Sequence, residues 1–190
     1  MSIQKPLLLA SASPRRQELL RNAGINFVAR PANIPEVPAR GEQPRVFAER
    51  MSREKARAAR DNGHGGVILA ADTVVAVEAE ILGKPEDSED ARRMLRRLSN
   101  CTHEVITAVC LLGEEFSDVR SEITRVHFDA MSEAEIADYV SSGEPMDKAG
   151  AYAIQGRASR WISRIEGDYS NVVGLPVDLV WRMLRDHGLH

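Results

Sequence analysis

This sequence is short of cysteine and has no long apolar run. Cys101 and Cys110 are the only cysteines among 190 residues. A pair with this spacing matches no zinc or redox motif and no disulfide framework, so we expect both to be reduced core residues. Residues 1–6 lack the charged stretch and the apolar run of a signal peptide. No apolar run approaches the ~20 residues of a membrane span. These absences predict a cytoplasmic protein with no membrane partner.

Strong net charge and the common nucleotide-binding loops are also absent. The net charge is -3, which gives no sign of a nucleic-acid partner. The chain contains neither a GxxxxGK(S/T) loop nor a GxGxxG loop, which argues against a P-loop NTPase and a dinucleotide-binding domain. Against this weakly negative background, any local cluster of Lys and Arg becomes more informative about an anion site.

Predicted strands and helices alternate along the chain, which indicates the α/β class with a mixed twisted sheet and flanking helices. The length suits one domain, residues 1–190, with a seam at residues 143–156 that could divide two lobes. The predicted strands are residues 7–10, 25–29, 67–71, 73–82 (as a hairpin), 103–112, 122–128, 151–154 and 161–165. The predicted helices are residues 14–23 and 44–62, followed by one capped by Ser88, one capped by Ser132 and a last one that begins at Pro176.

The first candidate site is the turn at residues 11–16, between the first strand and the first helix. Ser13 is a good N-cap and Pro14 a good first helical residue. The free N–H groups of a helix N-terminus suit an anion, and Ser11, Arg15 and Arg16 would add further donors. The alternative is that Ser13 only caps the helix and both arginines are solvated.

Lys55 is the second candidate, because it interrupts an apolar stripe formed by Phe47, Met51 and Ala59 in the predicted helix 44–62. A lysine on a buried face is costly unless an anion or a carboxylate meets it. The alternative is that its aliphatic stem runs along the edge of the core while the ammonium reaches water.

Asp72 is the third candidate. It follows the apolar run at residues 67–71, which predicts a position near the carboxyl end of a central strand, where open α/β sheets bind ligands. A carboxylate there could hold a divalent cation or accept a proton from water. The alternative is an aspartate in an ordinary turn, although residues 73–77 continue as β-type sequence.

The remaining candidates are turn residues and amides. Lys84 lies in a constrained Gly-Lys-Pro turn, and residues 147–152 place charge and glycine in an apolar stretch. Gln155 and Asn171 carry amides that could read the edge of a base. Three lysines, an Arg pair and a strand-end Asp together suit a triphosphate with a metal.

These segments resemble the Maf family of nucleotide pyrophosphatases over nearly the whole chain. The motifs that carry the resemblance occur in the family's order: LASASPRR at 9–16, EKA at 54–56, ADTVV at 71–75, GKP at 83–85, SGEP at 142–145, DKAGAY at 147–152, IQG at 154–156 and VVGLP at 172–176. The resemblance implies two lobes with a cleft between them, cleavage between the α and β phosphates, and a homodimer.

The resemblance also implies roles for individual residues. Asp72 would be the general base or a metal-linked carboxylate, with Mg²⁺ or Mn²⁺ as the cation. Lys55 and Lys84 would hold the phosphates and offset developing charge. The turn at residues 11–16 would cradle the triphosphate.

Three positions resemble the branch of the family that acts on dTTP and UTP. These are Arg15, Thr73 and Gln155, where the sister branch acting on 7-methyl-GTP tends to carry Trp, Gln and Glu. A neutral glutamine suits uracil or thymine, whereas a glutamate suits a cationic methylguanine. Other readings left open are the sister activity, a broader action on modified nucleotides, and a non-catalytic role in septum formation.

The chain departs from the family pattern after the second predicted strand. The family usually carries an acidic Asp-Glu pair there, whereas this sequence has Pro35 followed by Glu36. Glu36 remains as a metal ligand or substrate contact, and any role of the first acidic position is lost.

Overall fold

The computed structural model describes residues 6–63 and 65–189, and within them seven strands form one sheet. The strands are β1 (Leu7–Leu9), β2 (Phe27–Ala29), β3 (Ile68–Val77), β4 (Glu80–Leu82), β5 (Thr102–Leu112), β6 (Ser117–Phe128) and β7 (Ile162–Glu166). The helices are α1 (Pro14–Asn22), α2 (Pro44–Asp61), α3 (Ser88–Leu98), α4 (Glu133–Ser141), α5 (Tyr169–Val173) and α6 (Val177–Asp186). Short 3₁₀ segments cover Glu144–Asp147, Ala149–Ala151 and Arg157–Trp161.

The sheet is mixed, as the sequence predicts. Its order is β2-β1-β3-β5-β6-β7, with β4 beside β3. The pairs that β1 makes with β2 and β3 are parallel, and all other pairs are antiparallel. On one edge of β3, β1 pairs only with residues 68–69 and β4 only with residues 75–77. Within the described chain, residues 70–74 therefore have no strand on that edge.

Helices cover both faces of the sheet. On one face, α2 packs Phe47 and Met51 against Val74, Ile106 and Ala108. The opposite face carries two hydrophobic clusters. One joins α1 and α6 to the first half of β3 around Leu69, and the other joins α3 and α4 to its second half around Val77. Thr73 lies between the two clusters, so this face has two halves that meet at a cleft.

Most of the predicted helix starts are confirmed. The Ser13 hydroxyl accepts a hydrogen bond from the Arg16 N–H at 3.4 Å and caps α1. Ser132 and Glu135 form the predicted capping box of α4. The prediction for α3 is wrong by one residue: Asp87 is the N-cap, and its carboxylate accepts from the Asp90 N–H at 2.8 Å. An aspartate suits this position because the helix dipole favours an anion there.

Three other predictions need correction. Residues 151–154 do not form a strand, because Gly150 and Ala151 both adopt positive φ and turn the chain. A Cβ on Gly150 would lie 2.9 Å from a Val75 methyl, so only glycine fits this close approach. The strand β6 begins at Ser117, not Glu122, and α5 was not predicted. Asp72 lies in the middle of β3 instead of near its end.

No helix in the described ranges is long and apolar enough to cross a membrane. The extent of the domain, residues 1–190, and a seam at residues 143–156 stay predictions.

Candidate active site

A cleft of about 420 Å³ lies beside the open edge of β3. Nine of the ten predicted site residues line it: Ser11, Ser13, Arg15, Arg16, Glu36, Lys55, Asp72, Thr73 and Lys84. The tenth, Gln155, is exposed and lies outside this lining. The fold therefore gathers residues from α1, α2, β3 and three loops, while the predicted base-reading amide stays apart.

The gap in strand pairing explains why both faces of β3 contribute to one cleft. Successive side chains of a strand point to opposite faces. Asp72 points to the α2 face and contacts Lys55, whereas Thr73 points to the other face and contacts Arg16. A neighbouring strand at residues 70–74 would separate the two faces. Because this edge is open, side chains from both faces reach the cleft. Asp72 can therefore face a ligand from the middle of β3, although the sequence predicted it at the end of a strand.

Lys55 lies between two carboxylates. Its Nζ is 2.5 Å from Asp72 Oδ1 and 2.6 Å from Glu36 Oε1. Lys55 is only 7% exposed and Asp72 only 6%, so the ammonium does not reach past the core into bulk water. The two ion pairs offset the desolvation cost of a buried lysine. The alternative, in which the ammonium reaches water, is excluded.

The two carboxylates respond differently to this environment. Burial raises the pKa of Asp72, against the opposing effects of Lys55 and Arg16. Burial also acts upward on Glu36, but the hydrogen bond and charge of Lys55 outweigh it, and the net effect lowers the pKa of Glu36. This environment thus makes Asp72 a better proton acceptor than an ordinary aspartate and makes Glu36 a poorer one than an ordinary glutamate.

Arg16 is fixed by neutral groups of the protein. Its Nε donates to the Gly174 carbonyl at 2.8 Å, and Nη1 donates to the Ala71 carbonyl at 2.9 Å and to the Ser11 hydroxyl at 3.2 Å. Its Nη2 donates to the Thr73 hydroxyl at 2.9 Å. Four of the five guanidinium N–H bonds are therefore engaged. Arg16 therefore supplies a hydrogen-bond donor to the open edge of β3. Its guanidinium is not free to bind a phosphate, as the sequence suggested it would be.

Thr73 continues these hydrogen bonds through the sheet. Its hydroxyl lies 2.9 Å from that of Thr107, and Thr107 donates to the Asn171 carbonyl at 3.1 Å. The Thr73 hydroxyl also donates to the Gly174 carbonyl at 3.3 Å, so either threonine can be the donor in their mutual contact. In both arrangements the Thr73 hydroxyl is used within the protein, by Arg16, Thr107 and Gly174.

The cations with free donors lie around the rim of the cleft. The side chain of Arg15 makes no hydrogen bond or ion pair with any residue in the ranges 6–63 and 65–189. Lys84 is 4.0 Å from Glu36, and its side chain is 61% exposed. Lys148, which lies in the 147–152 segment, pairs with the exposed Asp147. These three side chains are available to an incoming anion.

The cleft has an excess of positive charge and an apolar wall. Its lining contains five cations and three carboxylates: Arg15, Arg16, Lys55, Lys84, Lys148, Glu36, Asp72 and Asp147. In a chain of net charge -3, this local excess of positive charge favours a polyanion. The apolar part of the lining includes a cluster formed by Val75, Val105, Tyr152, Val172 and Val173. This combination suits a ligand with both a phosphate chain and an uncharged body.

Asn171 does not have the role suggested by its amide. It is completely buried, and its Nδ2 donates to the Val105 carbonyl and the Thr124 hydroxyl, both at 2.9 Å. It holds α5 against β5 and β6 and does not line the cleft. Sequence alone could not distinguish it from an exposed amide.

The carboxylates set the limits of any metal site. The described part of the chain contains no group of three or more His, Cys, Asp or Glu side chains able to hold a metal ion. Asp72 and Glu36 nevertheless converge on the same ammonium. Magnesium is commonly bound by one or two carboxylates together with substrate phosphates and water. The two residues fit a cation that arrives with a phosphorylated ligand.

Comparison with known proteins identifies the family of this chain. A family model described as Maf-like protein matches residues 6–187. The dTTP/UTP pyrophosphatase of Koribacter versatilis is 54% identical over 96% of this chain and 95% of its own. The dTTP/UTP pyrophosphatase of Syntrophomonas wolfei is 53% identical over 95% of this chain and 96% of its own.

A solved structure, the Ham1 protein of Staphylococcus aureus, has the same fold with a TM-score of 0.53 at 12% identity. The match covers 96% of this chain and all of that one. The family model, the near-complete coverage by curated relatives and the shared motifs lead to one conclusion. This chain belongs to the Maf family.

Proposed function

We propose that this protein is a nucleoside triphosphate pyrophosphatase that hydrolyses dTTP and UTP to the monophosphate and pyrophosphate. The observation that carries the proposal is the buried Lys55–Asp72 contact at 2.5 Å inside a cleft with excess positive charge. The names of the curated relatives, at 54% and 53% identity, support the substrate class.

In this proposal Asp72 accepts the proton of the attacking water. Burial raises the pKa of its carboxyl, which makes it a stronger base than an ordinary aspartate. Water attacks at the α phosphorus, the bond to the bridging oxygen breaks, and pyrophosphate leaves. The Lys55 ammonium beside Asp72 offsets the negative charge that develops on the phosphoryl oxygens.

The triphosphate is held by the cations with free donors. Arg15, Lys84 and Lys148 bind the phosphate oxygens, because four N–H donors of Arg16 already bind acceptors within the protein. The N-terminus of α1 lies in the same part of the cleft and adds backbone N–H groups. Arg16 contributes its charge and its support of β3.

Asp72 and Glu36 would hold a divalent cation, Mg²⁺ or Mn²⁺. When bound, such an ion orients phosphates and acidifies water. Lys55 now lies between these two carboxylates, so in the substrate complex we expect it to turn from Glu36 towards the phosphates.

The base is selected by the part of the lining that carries no charge. Thr73 lines the cleft, but its hydroxyl is used within the protein. Gln155 is outside the lining, so its reading of a pyrimidine requires the segment after Tyr152 to approach the ligand. The apolar wall around Val105 and Tyr152 is the surface that the structure offers to a base.

The test is pyrophosphate release by the purified protein with Mg²⁺ or Mn²⁺, across dTTP, UTP, CTP, ATP, GTP and 7-methyl-GTP. We expect dTTP and UTP to turn over well above the others. Preference for 7-methyl-GTP would keep the reaction and overturn the assignment of its substrate. If the folded protein turns over none of these nucleotides, the proposed enzymatic function is overturned and a regulatory role is favoured.

A further inference from the structure

The loop that carries Glu36 has little apolar support. Residues 30–43 connect β2 to α2 and contain no helix or strand. Only Ala32 and Ile34 pack against core clusters, and the Glu36 side chain is 41% exposed. An exposed loop of this kind usually has several conformations. Other contacts must therefore hold the carboxylate within 2.6 Å of Lys55.

Arg50 supplies such contacts from α2. Its Nε and Nη2 donate to the two carboxylate oxygens of Glu42, both at 2.7 Å. Its Nη2 also donates to the carbonyl of Val37 at 3.1 Å. The pair with Glu42 is bidentate, the geometry in which arginine binds a carboxylate most strongly. The contact to Val37 acts on the backbone directly after Glu36.

Glu42 extends this anchoring to the rest of the loop. Its carboxylate accepts from the Ala39 N–H at 2.9 Å, and its own N–H donates to the Ala39 carbonyl at 3.0 Å. The turn at residues 39–42 is thus closed on both sides. The hydrogen bond from Arg50 lowers the pKa of Glu42 to about 2, so this contact stays ionised throughout the pH range of an activity assay.

We propose that Arg50 is a positioning residue of the candidate active site, which holds the Glu36 carboxylate beside Lys55 by fixing the Val37 carbonyl and Glu42. Lys55 and Arg50 both lie on α2, five residues apart. Helix α2 therefore binds the loop at two adjacent residues, through the side chain of Glu36 and the backbone carbonyl of Val37. The kinetic consequence rests on the proposed pyrophosphatase function, whereas the effect on the loop does not.

The first test measures the order of the loop without any substrate. Arg50→Lys keeps the charge and loses the fork, so we expect the amides of Ala39 and Glu42 to exchange hydrogen on the order of tenfold faster. Arg45→Gln is the matched control, because Arg45 lies on the same helix and pairs only with Glu49 among the described residues. Equal exchange in wild type and Arg50→Lys would overturn the proposal. Glu42→Gln breaks the same fork from the loop side and gives the answer if Arg50→Lys does not fold.

The second test is a double-mutant cycle on kcat/KM with Glu36→Gln. We expect Arg50→Lys to reduce kcat/KM about tenfold in the wild-type background and hardly at all when Glu36 is already replaced. Equal losses in both backgrounds would show that Arg50 does not act through Glu36, and would overturn the proposal. If the wild type releases no pyrophosphate, the proposed function fails and the exchange measurement alone decides the role of Arg50.

Discussion

The two faces of β3 solve the same physical problem in opposite ways. Each carries a buried cation at the open edge of the strand. On the α2 face, Lys55 meets two carboxylates, Asp72 and Glu36. On the other face, the acceptors that Arg16 contacts in the described part of the chain are all neutral, namely two carbonyls and two hydroxyls.

This difference suggests a reactive role and a structural role at two adjacent positions of β3, Asp72 and Thr73. A carboxylate paired with an ammonium can change partners when a charged ligand arrives, because the ion pair is exchanged for another ion pair. A guanidinium that satisfies buried carbonyls cannot leave without orphaning them. In the proposed function, Asp72 and Lys55 accordingly form the reactive face, and Arg16 and Thr73 form the supporting face.

Removing the carboxylate from the reactive face has the largest expected effect. Asp72→Asn should lower kcat by about 10²–10⁴-fold, since it removes the proposed base and keeps its shape. Glu36 remains as a partner for Lys55, so we expect the protein to stay folded. Pyrophosphate release measures the loss of turnover, and circular dichroism measures whether the variant is folded. A folded variant with wild-type turnover would exclude Asp72 as the base.

Exchanging the two arginines for lysine sharpens the comparison within the turn at residues 11–16. Arg16→Lys should destabilise the fold by about 3 kcal/mol, because the carbonyls of Ala71 and Gly174 lose donors in a buried site. Arg15→Lys should change stability by less than about 0.5 kcal/mol and mainly raise KM. Urea unfolding and steady-state kinetics provide the measurements. A stability loss of similar size in both variants would contradict the division of roles.

The supporting face also contains a titratable group, His103, whose ring contacts the Tyr152 hydroxyl at 2.8 Å. Burial lowers the pKa of His103 to about 4, whereas an unfolded histidine titrates near 6.5. Between these values the unfolded chain binds more protons, so stability falls as pH drops. The expected loss approaches 1.4 kcal/mol per pH unit below about 6.5, or about 2 kcal/mol at pH 5.

Urea unfolding at pH 7.5 and pH 5 measures this effect, with His103→Gln as the comparison. Glutamine keeps a polar end but does not titrate, so the variant should lose most of the pH dependence. An unchanged loss in His103→Gln would assign the effect to other titratable groups.

The two charged residues that meet inside the cleft could be singled out from the sequence because each violates a local pattern. Lys55 interrupts an apolar helical stripe, and Asp72 interrupts an apolar strand. The supporting contacts leave no such signal. Whether Arg16 is free depends on where β1 and β4 end along β3, which is a matter of long-range pairing. Likewise, Asn171 and Gln155 carry the same amide group, and only the packing of α5 decides that the first is buried.

Arg50 escaped prediction for a related reason. Arginines and glutamates four residues apart are common on an exposed helix, and Arg50 with Glu54 fits that pattern. Its important partners, Glu42 and Val37, lie in a loop whose path depends on the tertiary fold. The sequence therefore predicted the fold class and the charged centre of the cleft better than the contacts that position them.

The smallest expected effect comes from the hydroxyl of Thr73. Thr73→Val keeps the shape of the side chain but leaves one Arg16 N–H and the Thr107 hydroxyl without their partner. We expect a loss of about 1–2 kcal/mol in the free energy of unfolding and little change in kcat. Thr73→Ser restores the hydroxyl and should recover most of the stability. If Thr73→Val instead shifts the preference between dTTP, UTP and 7-methyl-GTP at unchanged stability, Thr73 reads the substrate, and the division between the two faces fails at this residue.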